Sequence, residues 1–340
     1  MYKFEMPNVA SSMEINKPDP YPLLSEGMKK VIDYQAEHSA DAFDTNCTWD
    51  ELREKYVKER RFWNEGGPQP HKVVNMTLEG PIGEFPVRIY YPDDKPGHNA
   101  LVFIHGGGFT VGSVDTHDRM MRCVMEAANC VVIGVDYHLA PEAKFPIPLY
   151  ESAATVRYFH ENAEKYGINP DNMAIGGDSG GANLSLATNL YLRDAFGGND
   201  YIAARILYYG AFGLKDGPAW RLNGTVLDGM TRADLDAYIG YYLEDMEKDY
   251  DNPYYACFNN DLSHGVPPCY ICCGDLDPLL GDSQLLHQIN LNNGVRSEFE
   301  LVPGALHAFM HYGRMMDEAV DCLRHSGEFY ASVLAEKSGK

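Results

Sequence analysis

Short, mostly apolar runs alternate along much of the chain with longer stretches in which apolar residues recur every three or four positions. The short runs are Ala100–Ile104, Val131–Tyr137, Met173–Gly176, Ala204–Tyr209, Cys269–Cys273 and Glu298–Val302. Runs of this length predict strands, and those apolar at nearly every position, all but Glu298–Val302, predict strands buried on both faces. Between them Thr116–Ala128, Pro146–Tyr166 and Gly180–Ala195 read as helices, as do stretches from Asp282 and from Arg314 to Ala335. In the second of these, Tyr150, Ala153, Ala154, Val156 and Phe159 form an apolar side. Repeated β-α units of this kind predict an α/β fold with a mostly parallel central sheet flanked by helices.

Two tracts break the alternation. Near the N-terminus, helices are expected over Leu24–Glu37 and from Thr48 to Asn64, where Thr48-x-x-Glu51 spells a capping box. Gly66-Gly67-Pro68 ends that pattern, and strands follow at Val73–Leu78 and Phe85–Tyr91. The second tract, 213–251, is helical text with another start signal at Thr231-x-x-Asp234. The chain is therefore expected to be a single domain over 1–340. A helical cap would come from about 1–66 and 213–251, over a core of about 71–212 and 252–340. Ligands of open α/β sheets bind beyond the carboxyl ends of the strands, where such a cap would sit.

Composition narrows the partners. Of 340 residues, 49 are acidic and 28 basic, a formal charge of −21. Phosphate backbones need clustered Lys and Arg, so nucleic acid is not an expected partner, and neither is an anionic membrane. The segment Met1–Pro7 lacks the apolar run of a leader, and no stretch is apolar enough to span a bilayer. A cytoplasmic location is the expectation. The eight cysteines are then expected as reduced, mostly buried thiols. Cys269-x-x-Cys272 has metal-like spacing, but it lacks a second pair and falls in an apolar run, so it reads as strand and no metal is expected.

Chemistry concentrates in two glycine-rich segments. Gly177-Asp178-Ser179-Gly180-Gly181 follows a predicted strand and opens a predicted helix. That is the context of a G-x-S-x-G turn, which lifts a serine nucleophile above a sheet. His105-Gly106-Gly107-Gly108-Phe109 follows another strand. Its glycines let backbone N–H groups approach a substrate, and Gly107, Gly108 and Gly180 are the candidate oxyanion donors. A phosphate loop would continue with Lys-Ser or Lys-Thr, whereas this one continues Phe109-Thr110-Val111. His105, with Gly106, is expected to support the loop through a hydrogen bond. Gly-Asp-Ser-Gly-Gly also fits a chymotrypsin-like protease, and His105, Asp136 and Ser179 fall in its His–Asp–Ser order. Those proteases are β-barrels, and the helix predicted after Ser179 argues against one.

In the hydrolase order the acid and then the histidine follow the serine. His264, His287, His307, His311 and His325 are the available histidines. His287 and His325 fall in helical text and His264 in a polar loop, while His307 follows the run Glu298–Val302 and is the candidate base. His311 is its near neighbour. Asp277, in Asp277-Pro278-Leu279 after the run Cys269–Cys273, is the candidate acid. Asp275 is expected to bind backbone, and Asp282 to cap the next helix.

Together these segments resemble the hormone-sensitive-lipase family of α/β-hydrolases, close to its bacterial acetyl esterases. Asp136-Tyr137-His138-Leu139-Ala140-Pro141-Glu142 is similar to the family's segment after the next strand. Asp115–Arg119 and Phe258–Leu262 look more like acetyl esterases than the family at large. Gly180 departs from the pattern, since many members carry Ala there. The resemblance implies a capped α/β-hydrolase without a cofactor, acting as a serine carboxylesterase on short acyl esters, acetyl above all, with acetylated sugars among the candidates. The competing reading is a non-catalytic ligand- or partner-binding protein on the same fold. The resemblance also admits a regulatory protein partner, of which the sequence carries no sign.

Overall fold

The computed structural model describes residues 5–10 and 12–339. Residues 1–4, within the segment read above for a leader, lie outside the described residues. In chain order the elements are α1 (Glu26–His38), α2 (Trp49–Trp63), β1 (Lys72–Gly80), β2 (Gly83–Tyr91), β3 (His98–Ile104), α3 (Asp118–Ala128) and β4 (Val131–Val135). Next come α4 (Ile147–Glu161), α5 (Ala163–Tyr166), β5 (Ile168–Asp178), α6 (Gly180–Phe196), β6 (Ile202–Tyr208), α7 (Pro218–Leu222), α8 (Arg232–Tyr242) and α9 (Met246–Asp249). The chain ends with β7 (Cys269–Gly274), α10 (Leu280–Asn292), β8 (Ser297–Val302) and α11 (Asp317–Ser338).

The strands form one eight-stranded sheet in the order β1-β2-β4-β3-β5-β6-β7-β8. The β1–β2 and β2–β4 pairs are antiparallel, and every pairing from β4–β3 to β7–β8 is parallel. Strand β3 shows why its run is apolar throughout. Ala100, Val102 and Ile104 enter a core shared with Leu149, Val156 and Phe159 of α4 and Leu184 of α6. The alternate residues Leu101 and Phe103 enter the opposite core, with Met121 and Val124 of α3, Leu323 and Phe329 of α11 and Val31 of α1. Helices on both faces leave no polar side for a parallel strand to present. Each large side chain so buried contributes roughly 1.5–3 kcal/mol.

Both capping boxes form. Thr48 and Glu51 exchange bonds at the start of α2, and Thr231 and Asp234 at the start of α8. Several boundaries differ from the sequence reading. Strand β5 extends from Ile168 to Asp178, well beyond Met173–Gly176, because Ile168 already pairs with His98 of β3. The stretch Pro146–Tyr166 divides at Asn162, whose φ of −114° leaves the helix. The 213–251 tract contains only three short helices. Asp282 does not cap α10. It is the third residue of that helix, and its Oδ1 accepts the N–H groups of Phe212, Gly213 and Leu214 at 2.6, 3.0 and 3.1 Å. A carboxylate on the first turn meets whichever unpaired donors face it, and here those belong to the chain leaving β6. Asp275 binds backbone as expected, accepting Gly304 N–H at 2.7 Å.

The N-terminal tract and the 213–251 tract touch. Thr45 Oγ1 donates to Asp234 Oδ1 at 2.7 Å, and the rings of Trp49 and Tyr241 meet edge to face. Arg53 of α2 donates to the carbonyls of Thr110 and Ala140, each at 2.8 Å, which fastens α2 beside the glycine-rich loop after β3. All eight cysteines are free thiols, with Cys269, Cys272 and Cys273 buried in β7. Among the described residues no helix is long and apolar enough to cross a membrane.

Candidate functional site

Four loops meet beyond the carboxyl ends of the parallel strands, and each carries at least one predicted group. Strand β5 ends at Asp178 and α6 begins at Gly180, so Ser179 alone makes the turn between them. Its backbone is held at φ 51°, ψ −120°, a strained conformation for a residue with a side chain. Ser179 N–H donates to Tyr208 O at 2.9 Å, which pins the turn to β6. The glycines on either side answer a steric demand. A Cβ on Gly177 or Gly181 would fall inside the van der Waals envelope of the Ile104 carbonyl oxygen. Serine is a strong helix N-cap, yet here its side chain caps nothing in α6.

The hydroxyl pairs instead with the loop after β8. His307 Nε2 stands 2.9 Å from Ser179 Oγ, and His307 Nδ1 stands 2.7 Å from Asp277 Oδ2. Because a carboxylate only accepts, Nδ1 carries the proton and Nε2 is left to accept from the serine hydroxyl. Asp277 is fully buried and its Oδ1 accepts Leu279 N–H at 2.7 Å, so the acid is fixed from its own loop. Burial pulls the His307 pKa down, but the charge and hydrogen bond of Asp277 outweigh it and leave the pKa above the ordinary value.

The glycine-rich loop adjoins this pair. Gly107 and Gly108 have φ of 110° and 56°. The carbonyl of Gly107 turns back to accept from Thr110 and Val111 at 3.1 and 2.9 Å. Gly107, Gly108 and Gly180 line one cavity with Ser179 and His307. Gly106 does not offer its N–H there, because it donates to Asp178 Oδ1 at 2.9 Å. His105 Nδ1 donates to Gly106 O at 2.8 Å, and its ring stacks on Tyr137 at 4.3 Å. Burial, then the neighbouring His117, pushes the His105 pKa down to about 3, so it is neutral near pH 7. Its Nε2 lies 3.8 Å from Asp136 Oδ1, and no bond joins it to Ser179. The other histidines lie elsewhere: His264 is exposed, His287 bonds Ser297, and His325 pairs with Glu300.

The cavity measures about 130 Å³. Trp220 and Tyr238 line it, whereas Tyr242 stacks on Phe109 at 3.7 Å, and Tyr241 packs against Trp49. Sequence reasoning gave no part to Asp178, although it stands inside the Gly-Asp-Ser-Gly-Gly motif. Nor did it reach Arg60 and Asp228, which also line the cavity and carry no local motif. Asp178 is buried between two imidazoles, with His117 Nε2 at 3.3 Å and His311 Nε2 at 3.8 Å. Two imidazoles and a carboxylate are a set that could ligate a transition metal. One carboxylate oxygen, however, is already committed to Gly106.

A family model described as alpha/beta hydrolase fold matches residues 101–311. Among solved structures, the chain is similar to an esterase of Pyrobaculum calidifontis, with a TM-score of 0.84 and 26% identity over 92% of this chain and 99% of that one. It is also similar to EstE1, a thermostable carboxylesterase cloned from a metagenomic library, with a TM-score of 0.80 and 23% identity over 85% of this chain and 98% of the other. An esterase of the fungus Rhizomucor miehei matches at a TM-score of 0.83 and 24% identity, covering 93% and 99%. The chain belongs to the alpha/beta hydrolase fold family, as a carboxylesterase-type hydrolase of the hormone-sensitive-lipase group.

Proposed function

We propose that this chain hydrolyses short-chain acyl esters, acetyl esters above all, through an acyl-enzyme formed on Ser179. The observation that carries the reading is the unbroken path from Ser179 Oγ to His307 Nε2 at 2.9 Å and from His307 Nδ1 to Asp277 Oδ2 at 2.7 Å. Ser179 Oγ attacks the ester carbonyl carbon while Nε2 takes its proton. The carbonyl oxygen becomes an oxyanion, met by the N–H groups of Gly107, Gly108 and Gly180. The tetrahedral intermediate collapses, the C–O bond to the alcohol breaks, and the alcohol leaves with the proton from Nε2. Water then repeats the sequence on the acyl-serine and releases the acid. Asp277 keeps the imidazole in the required tautomer and stabilises the imidazolium. Preorganised donors such as the glycine N–H groups are worth roughly 3 kcal/mol each in the transition state.

The described residues of the N-terminal tract up to 66, with the 213–251 tract, act as a cap over the strand ends, and the aromatic wall of Trp220 and Tyr238 keeps the acyl pocket short. Small acetylated sugars are candidate natural substrates. The test is hydrolysis of 4-nitrophenyl acetate by the wild-type chain and by Ser179→Ala. Release of 4-nitrophenol is expected to disappear in the variant with its circular dichroism unchanged, and full activity there would overturn the assignment. A series of 4-nitrophenyl esters from C2 to C12 is expected to peak at the short end.

A further inference from the structure

We infer that Phe43 sets the upper length of the acyl group. Its ring divides the catalytic cavity from an outer groove between the N-terminal tract and the 213–251 tract, and without that ring an acyl chain would run on into the groove. This rests on the ester-hydrolase reading above.

The cavity that contains Ser179 and His307 measures about 130 Å³. Beside it lies a groove of about 570 Å³, walled by residues of α1 and the turn after it on one side and by residues between 226 and 234 on the other. Phe43 and Gly229 line both spaces, so at that point the wall between them is a single layer. The two residues are in contact, since a Cβ added to Gly229 would stand 2.6 Å from Phe43 Cβ. Gly229 has a φ of 62°, which also favours glycine. With no side chain on Gly229, the partition there falls to Phe43.

The Phe43 ring is held in place. Tyr56 meets it edge to face at 6.4 Å, and the Arg60 guanidinium lies 5.4 Å from its centre. Its turn is closed by Ala42 N–H donating to Ser39 O at 3.0 Å and Asp44 N–H donating to Asp41 O at 3.3 Å. The Thr45–Asp234 bond ties the same turn to α8. Phe43 packs with Tyr238 on the cluster of Tyr56 and Val111, and Tyr238 covers Gly108. Phe43 therefore belongs to the wall assigned above to the acyl pocket. An acyl chain longer than the cavity must displace a ring that is packed from several sides, and such overpacking is costly.

The groove beyond suits an alkyl chain. Ile32, Ala36, Ala40, Val226 and Leu227 give it an apolar strip, and Val226 is 82% exposed. Its carboxylates are already engaged, Asp41 with Lys55, Asp44 with Asn46, and Asp234 with Thr45 and Thr231. Each methylene laid on the strip would leave water, which favours binding.

The experiment compares kcat/KM for 4-nitrophenyl octanoate and acetate in the wild type, Phe43→Ala, Ala36→Trp and the double variant. Phe43→Ala is expected to raise the octanoate-to-acetate ratio at least about tenfold. Ala36 is exposed on α1 and lines the groove without lining the cavity, so Ala36→Trp alone should leave the ratio as in the wild type. In the double variant the new indole should cancel most of the gain, which a merely loosened cavity would not show. The ratio for octyl acetate over propyl acetate should not change in Phe43→Ala, because the alcohol half does not use this wall. Phe43→Leu should act in the same direction by a smaller factor, and it replaces Phe43→Ala if the latter does not fold. An unchanged octanoate ratio in the folded variant, a gain that survives Ala36→Trp, or an equal gain for octyl acetate would overturn the inference. These failures are separable from failure of the esterase reading. The latter shows as absence of Ser179-dependent hydrolysis of 4-nitrophenyl acetate, whereas the former leaves that hydrolysis intact.

Discussion

The carboxylate of Asp178 accepts the backbone N–H of Gly106 at 2.9 Å. This one bond joins the turn that carries Ser179 to the loop that carries Gly107 and Gly108. The two glycine-rich segments are thus held in register by a side chain next to the serine. His117 at 3.3 Å supports the same carboxylate from behind.

Removing that carboxylate should loosen both segments together. Asp178→Ala is expected to lower stability by about 3–5 kcal/mol, because it strands Gly106 N–H and His117 in a buried site. Urea denaturation measures this. Burial raises the Asp178 pKa, but the charge of the nearby His117, with the hydrogen bond from Gly106 N–H, brings it below the ordinary 3.8. A depressed carboxylate stabilises the fold above its unfolded pKa and loses that contribution as pH falls through the folded value. Denaturation midpoints of the wild type should therefore drop below about pH 3.8 more steeply than those of Asp178→Asn.

Activity should depend on pH through His307, which must be neutral to act as base. Its pKa is raised above 6.5, so the acid limb of kcat/KM should have its midpoint above that value. In Asp277→Asn the opposing burial is left to dominate. The midpoint should move down, and kcat should fall by about 10³–10⁴-fold. The stability linkage runs the other way from that of Asp178. The His307–Asp277 pair stabilises fully below pH 6.5, and its contribution is lost as pH rises through the folded value. A pH–rate profile with 4-nitrophenyl acetate checks the first part, and an acid limb that stays put in Asp277→Asn would contradict it.

The glycines around Ser179 should differ sharply in tolerance. Gly181→Ala drives a methyl into the carbonyl oxygens of Ile104 and His105, which cannot retreat without tearing β3 from the sheet. A loss of about 3 kcal/mol or more, or insoluble protein, is expected. At Gly180 the added methyl would meet the Phe109 ring at 3.3 Å, a tight contact with a side chain. Alanine also favours the α6 backbone by about 1 kcal/mol over glycine. Gly180→Ala should therefore stay within about 1 kcal/mol of wild type in the same denaturation assay.

Tyr238 packs its ring over Gly108, at the place a Cβ there would occupy. Truncation to Tyr238→Ala opens the cavity beside the glycine loop. The ratio of kcat/KM for 4-nitrophenyl hexanoate over the acetate is expected to rise at least about tenfold, since each extra methylene can gain up to ~0.8 kcal/mol. A ratio that does not move would place the acyl chain elsewhere.

Much of the architecture was legible in the chain itself. Apolar residues at successive positions of Ala100–Ile104 require burial on two faces, and the structure supplies α4 and α6 on one side and α3 and α11 on the other. Thr48-x-x-Glu51 and Thr231-x-x-Asp234 marked helix starts because a capping box is a local exchange of bonds. Ser179, His307 and Asp277 were each identifiable because each follows a predicted strand, and parallel strands bring their carboxyl ends to one edge. Asp282 was misread because its choice between capping α10 and serving the chain after β6 depends on which donors face it.

Local pattern, then, determined the elements, their parallel arrangement and the residues gathered at the strand ends, because periodicity, capping and glycine sterics act over a few residues. Only the tertiary structure decided the rest. It gave Asp178 to Gly106, left Asp228 Oδ2 without a partner, and made Arg60, Trp220 and Tyr238 walls of one cavity. Those relationships join groups far apart in sequence, and burial and charge act through space on whatever the fold brings near.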